Sequence, residues 1–310
     1  MKSEFELIEK FKRKIPRHLQ GLIGIGDDTA VLDGPDRTKW LFTTDAIVEG
    51  VDFVRNKILA ADAGRKALAI NLSDIAAMGG EPVACVITLG IPASLKSSWL
   101  DGFYNGIIQL AQKYRVQCVG GDITRAKEFF CSIAMLGKAD AGKIITRHGA
   151  KPGDLIGVTG FLGGSILKHH YQFEPRIAEG KFLAEHFQPT AMMDISDGLL
   201  QDLGHILKAS KVGANLDLES IPVSQDAKKL AGKHSVKLLE HALTDGEDFE
   251  LLFTVPAGKR KKIEPGWKKE FPRVPLSWIG KVRSGRGIDS LKNEKPVQIP
   301  HFSKKGFSHF

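Results

Sequence analysis

Apolar positions fall into short runs and one long one, with glycines at the joins. Trp40-Leu41-Phe42-Thr43-Thr44 predicts a strand and Val83 to Leu89 a second. Between them, Asp62 to Met78 has the length and pattern of a helix stopped by Gly79-Gly80. A serine cap opens a predicted helix over Ser98 to Tyr114, and strands follow at Val116 to Val119 and Phe129 to Leu136. Lys151-Pro152-Gly153-Asp154 marks a boundary, because Pro followed by Gly forces a turn and strand-like Leu155 to Val158 begins at once. Beyond it the pattern predicts helices near Gly164 to His170, Arg176 to Phe187 and Gly198 to Ser210, with strands at Phe249 to Val255 and Leu276 to Val282. The reading is two α+β units, residues 1–150 and 151–310.

Composition narrows this further. A chain of 310 residues, 42% apolar and 26% charged, has ample material for a buried core, which excludes disorder and fibre. It lacks the roughly 18-residue apolar run of a spanning helix, and Met1 to Pro16 has no apolar signal core, so a soluble cytoplasmic protein is expected. Residues 256–310 hold 14 Lys and Arg against 4 Asp and Glu, so the net charge of +8 lies entirely in the C-terminal segment. Trp267, Phe271 and Trp278 interleave with those basic residues, as in a base-stacking surface. A solvated helix face around Lys259 to Lys269 accounts for the charge more simply, and nucleic acid is not the expected partner. Cys85, Cys118 and Cys131 lie far apart in apolar segments and are expected to be buried thiols. His169-His170 and His186 are expected to be packed or solvated rather than metal ligands.

The informative feature is the company the aspartates keep. Asp27-Asp28 follows Gly24-Ile25-Gly26, and Asp45 ends an apolar run. Asp74 lies inside the very apolar stretch Ala67 to Met78, Asp122 ends Val119-Gly120-Gly121, and Asp194 and Asp197 flank Ile195-Ser196. A carboxylate removed from water is costly unless it is paired, hydrogen-bonded or bound to a cation. Few of these have a basic neighbour in sequence, so a shared cation is the economical expectation. Aspartate oxygens with Thr and Ser hydroxyls are hard ligands that suit Mg²⁺.

Magnesium with open positions usually serves phosphates, yet the usual phosphate loops are missing. Gly137 to Lys143 has Walker spacing, but Ile144 stands where a metal-binding Ser or Thr is required. Gly157 to Ser165 fits a dinucleotide loop only loosely, and the protein-kinase motif set is absent.

Taken together, Gly24-Ile25-Gly26-Asp27-Asp28-Thr29-Ala30, Thr43-Thr44-Asp45, Asn71-Leu72-Ser73-Asp74, Gly120-Gly121-Asp122, Met193-Asp194-Ile195-Ser196-Asp197-Gly198 and Gly246-Glu247-Asp248-Phe249-Glu250 resemble the thiamine-monophosphate kinase family. That family is grouped with the aminoimidazole ribonucleotide synthetases. The resemblance implies two α+β domains, a homodimer whose N-terminal sheets pair into a barrel, and a C-terminal α/β sandwich. It implies ATP-dependent phosphorylation of thiamine monophosphate with several Mg²⁺ ions. Carried onto this chain, it makes Asp28, Thr43, Thr44, Asp45, Asp74, Asp122 and Asp194 metal ligands, with Asp197 serving a further metal. It places ATP at Tyr104, Gly121, Asp122, Arg147 and Ser196, and the thiamine moiety at Asp52, Glu247 and Phe307. Asp52 stands where the family commonly has His, and Pro175-Arg176 keeps part of a Pro-x-Pro-Arg stretch with Phe173 in place of the first proline. Other enzymes of the superfamily remain the alternative reading.

Overall fold

The computed structural model describes residues 4–16, 23–292 and 295–297. Helix α1 (Glu4–Lys12) precedes a first sheet built from β1 (Ala30–Asp33), β2 (Thr38–Val48), β3 (Glu81–Ile91), β4 (Gln117–Arg125) and β5 (Phe130–Asp140). The strand order is β1-β2-β5-β3-β4, antiparallel except for β3 beside β4. That parallel pair is joined by α3 (Ser97–Tyr114), as a parallel neighbour requires a crossover. The sheet is open and β4 is its edge, exposed along all nine residues.

Strand β2 shows how period two sorts its residues. Leu41, Thr43 and Ile47 are buried toward the helices, whereas Phe42, Thr44 and Ala46 are exposed on the other face. Helix α2 (Ala60–Ala77) covers the inner face, and it is buried almost all round because α3 and the second half of the chain enclose it as well. Its contact with α3 is backbone against backbone. A Cβ on Gly64 would lie 1.9 Å from the Phe103 carbonyl oxygen, and one on Gly106 would lie 1.9 Å from that of Ala61.

The second half forms a seven-stranded sheet from β6 (Asp154–Thr159), β7 (Ala191–Asp194), β8 (Gly213–Asp217), β9 (Leu251–Pro256), β10 (Leu276–Arg283), β11 (Ile288–Lys292) and β12 (Lys295–Val297). Its order is β12-β11-β8-β10-β6-β9-β7. Packed with it are α4 (His169–Gln172), α5 (Ile177–His186), α6 (Leu199–Ser210), α7 (Gln225–Ala231), α8 (Ser235–Thr244) and α9 (Arg260–Glu270). The two halves share core: Ala76 and Ala77 of α2 pack with Leu183, Ala184, Met192, Leu251 and Phe253. Among the described residues no helix is long and apolar enough to cross a membrane.

Several expectations need correction. The predicted helix over Gly164 to His170 is a 3-10 turn at Ser165–Leu167 followed by the single turn α4, because Gly163 and Gly164 both take positive φ and cannot start a regular helix. The strand expected from Phe249 starts at Leu251, since Phe249 itself has φ 50°. Cys118 is exposed on β4, not buried, with its sulfur 3.7 Å from that of Cys85.

The α2–α3 contact leaves no room for a methyl group. Gly64→Ala is expected to cost about 1–3 kcal/mol by overpacking, seen as a drop of several degrees in thermal melting. Gly204→Ala in α6, where a Cβ meets nothing within 4 Å, is expected to be neutral or stabilising by up to about 1 kcal/mol.

Candidate active site

Four segments meet where α2 passes between the two sheets. The turn before β1 brings Asp27 and Asp28, β2 brings Thr43 and Asp45, α2 brings Asn71, Ser73 and Asp74, and the end of β7 brings Asp194. Carboxylate oxygens of Asp28, Asp74 and Asp194 lie within 4.8 Å of one another. Thr43 Oγ1 donates to Asp74, and Ser73 Oγ donates to Asp194 Oδ2 at 2.5 Å. Asp45 is hydrogen-bonded to Asp74 through its side chain, while its backbone N–H donates to Asn71 Oδ1 at 3.2 Å. Asparagine and serine inside an apolar helix are thereby accounted for: each orders an acid from another element.

The electrostatics are those of crowded, buried acids. Burial first, then the neighbouring carboxylates Asp45, Asp194 and Asp28, push Asp74 well above its ordinary range. Burial likewise raises Asp45 to about 6, Asp194 to about 7 and Asp27 to about 6. One guanidinium partly offsets this. Arg147 donates to Asp28 Oδ1 from both Nε (3.2 Å) and a terminal nitrogen (2.6 Å), and its backbone N–H donates to Asp27 Oδ1 at 2.6 Å. Burial opposes the charge on Arg147, but Asp28 beside it raises its pKa above the ordinary value. Asp28 Oδ2 remains buried with no hydrogen-bond partner among the described residues. An orphaned carboxylate oxygen beside three acids whose ionised forms burial disfavours fits a hard divalent cation with oxygen ligands.

Not every expected ligand joins this group. Thr44 lies on the opposite face of β2, 3.4 Å from Ser132 Oγ. Asp122 is paired in register with Thr88, which is paired with Ser132, so it shares that outer face at the exposed edge. Tyr104 is half-buried in α3, and burial with the nearby cysteines raises its pKa. Gly121 has φ 155° and its Cα approaches β3 so closely that a Cβ would sit 1.8 Å from the Ile87 carbonyl oxygen. Asp197 lies in a second group with Asp202 and His205, on the turn that opens α6. Asp202 Oδ2 accepts the backbone N–H groups of Asp197 and Gly198 there.

The expected substrate residues adjoin the acids. Asp52 is close enough to Asp45 to raise its pKa, and its Oδ2 accepts the Val48 N–H at 2.7 Å, which ties the side chain into its own turn. Glu247 follows Asp194 through a backbone link, its N–H donating to the Ser196 carbonyl at 2.7 Å. Phe307 lies outside the described residues. Sequence reading missed Lys66, which is 1% exposed and donates to the Asp52 carbonyl at 2.9 Å and to Glu247 Oε1. It also missed His170, whose Nδ1 lies 3.3 Å from Lys66 Nζ and 3.4 Å from Glu247 Oε2. A lysine leading directly into the apolar stretch of α2 was the available signal. Beside this loop a cavity of about 320 Å³ is lined by His169, Arg176, Asp248 and Glu250, with Arg176 and Glu250 already paired by two hydrogen bonds.

Two domain models of AIR synthase related proteins match the chain, the N-terminal one over residues 26–139 and the C-terminal one over 147–286. With the two-sheet α+β architecture, they define its class. Among curated relatives, thiamine-monophosphate kinases from Rhodopirellula baltica and Escherichia coli K12 are 40% and 35% identical, covering 96% and 99% of this chain and 93% and 98% of theirs. A solved structure of AaThiL complexed with AMPPCP and TMP superposes with a TM-score of 0.83 at 31% identity, covering 99% of this chain and 97% of that one. The crystal structure of the thiamine-monophosphate kinase from Stenotrophomonas maltophilia gives 0.75 at 32%, covering 95% and 98%. The chain belongs to the thiamine-monophosphate kinase family.

The raised acids make a prediction about pH. They bind more protons folded than unfolded, so their own contribution to stability falls as pH rises from about 4 to about 7. A cation competes with those protons. The increase in melting temperature produced by Mg²⁺ is expected to be small at pH 5 and to grow toward pH 8; a pH-independent increase would contradict a cation site here.

Proposed function

We propose that this protein transfers the γ-phosphoryl group of ATP to thiamine monophosphate, giving thiamine diphosphate. One observation carries the reading: acids from both halves of the chain converge beside Arg147 and near Asp52, whose carbonyl shares the Lys66 ammonium with Glu247. The family relationship supplies the substrate, since a relative of this fold is described with an ATP analogue and TMP.

The chemical obstacle is repulsion between two phosphates. Magnesium, when bound, neutralises and orients both anions and the charge that develops between them. Asp28, Asp45, Asp74 and Asp194 are the residues that would hold it, with Thr43 and Ser73 donating to the Asp74 and Asp194 carboxylates and Asn71 holding the Asp45 backbone. Thr44 and Asp122 lie on the outer face of the sheet, apart from this cluster, and in this reading serve an ion at that face, with Asp197 serving a further one. Arg147 is the positive group available to nucleotide phosphate, exchanging Asp28 for it, and Tyr104, Gly121 and Ser196 complete the ATP contacts. Glu247, Asp52 and Phe307 receive the thiamine moiety. The acceptor phosphate has a second pKa of about 6 and is mostly ionised at neutral pH, so the transfer needs neither a general base nor a covalent intermediate.

In this reading residues 1–150 bind metal and ATP and form the dimer, and residues 151–310 complete the substrate site. The homodimer is supported by the exposed edge strand β4, where Val119 and Ile123 are more than 60% exposed, and by Phe42 and Val86 on the outer face. A second copy there would extend the sheet toward a barrel. The protein is assigned to the cytoplasm, where both substrates are made available.

Purified protein incubated with ATP, Mg²⁺ and thiamine monophosphate is expected to form thiamine diphosphate, and to leave aminoimidazole precursors unchanged. Asp74→Asn should lower turnover at least about 100-fold with melting preserved. Turnover near the parent level in that folded variant would remove the cluster from the mechanism.

A further inference from the structure

A lysine that is 1% exposed is unusual, since the ammonium loses its hydration and must recover it from fixed acceptors. Lys66 recovers it from three different segments. The Asp52 carbonyl belongs to the turn after β2, His170 to α4, and Glu247 to the loop before β9. Two of the three lie in the second half of the chain, so the ammonium joins the halves at the edge of the proposed substrate site. Ser73, seven residues or two turns further along the same face of α2, makes the corresponding link to Asp194.

Glu247 has φ 62° and Phe249 φ 50°, backbone conformations that side chains other than glycine adopt at a cost. Both are left-handed, so the loop needs external restraint to keep the Glu247 carboxylate where it is. The side chain of Glu247 is 30% exposed, whereas that of Lys66 is 1% exposed. The carboxylate therefore has one side clamped by the ammonium and another open. His170 closes the triangle: its Nδ1 faces Lys66 when bare and donates to Glu247 when protonated. Burial would raise the Glu247 pKa, but His170 and Lys66 together outweigh it and hold the carboxyl below its ordinary value, ionised.

We propose that Lys66 is a positioning residue that locks the strained Glu247 loop, so that the open side of the Glu247 carboxylate accepts N–H donors from the heteroaromatic end of the acceptor substrate. This rests on the reading that Glu247 meets the thiamine moiety. A carboxylate already paired with an ammonium is a poor counter-ion for a second cation but a good fixed acceptor, so the ring end that meets it is selected by N–H donors.

The test uses the full chain and three variants: Lys66→Met, Glu247→Gln and the two combined. Lys66→Met is expected to raise the KM for thiamine monophosphate about tenfold to hundredfold, the scale of one charged hydrogen bond, with the KM for ATP within about twofold. Glu247→Gln should do the same, and the double variant should resemble either single one, because Lys66 acts through Glu247. If Glu247→Gln leaves the KM for thiamine monophosphate unchanged, the Glu247 reading fails and the proposal with it. If Glu247→Gln weakens binding but Lys66→Met does not, or their effects multiply, or both KM values rise together, the positioning role alone is overturned. Should Lys66→Met melt below the assay temperature, His170→Asn replaces it in the same cycle, with the same two outcomes.

Discussion

The structure depends on keeping like charges together in a place where water cannot separate them. Asp28, Asp45, Asp74 and Asp194 come from four elements in both halves of the chain, and burial makes each an unfavourable place for a negative charge. Burial and the neighbouring carboxylates raise the pKa values of Asp45, Asp74 and Asp194, and Arg147 pairs with Asp28. Asp28 Oδ2 still has no hydrogen-bond partner among the described residues. In the proposed reading, a nucleotide complexed with a divalent cation would supply the missing positive charge.

Helix α2 makes the arrangement possible. It is enclosed by the first sheet, by α3 and by the second half of the chain, so its Lys66, Asn71 and Ser73 are shut off from bulk water. Lys66, Asn71, Ser73 and Asp74 are each bonded to another segment. They serve as fixed points onto which loops from both sheets are tied. The backbone contact of Gly64 with Phe103 and of Gly106 with Ala61 holds the helix against α3, where any side chain would push it away.

Much of this was legible beforehand. The strands and helices of the first half announced themselves through clear periodicity, and the acids that converge are among those with apolar or glycine neighbours, though Asp122 and Asp197 share that context and lie elsewhere. Thr44 could also have been separated from Thr43 and Asp45, since alternation along a strand puts it on the other face. The second half was harder to read. Gly213–Asp217 and the two helices Gln225–Ala231 and Ser235–Thr244 are short and weakly patterned, and their place is set by contacts distant in sequence. The Glu247 loop was legible as a motif but not as geometry, because nothing local foretells left-handed backbone at a glutamate and a phenylalanine. The C-terminal basic charge turned out to sit in part on α9, where Ile263 and Trp267 are buried and the flanking Lys261, Lys262, Lys268 and Lys269 are exposed.

One helix thus anchors both ends of the site. Ser73 holds Asp194 and Lys66 holds Glu247, seven residues apart, which along an α-helix is about 10 Å. The spacing of these two anchor points is therefore set by helical rise, a quantity that neither loop can alter by flexing. In the proposed reading, with Asp194 serving phosphate and Glu247 the ring, the helix would work as a gauge: molecules whose charged and aromatic ends are spaced differently would satisfy one anchor and miss the other.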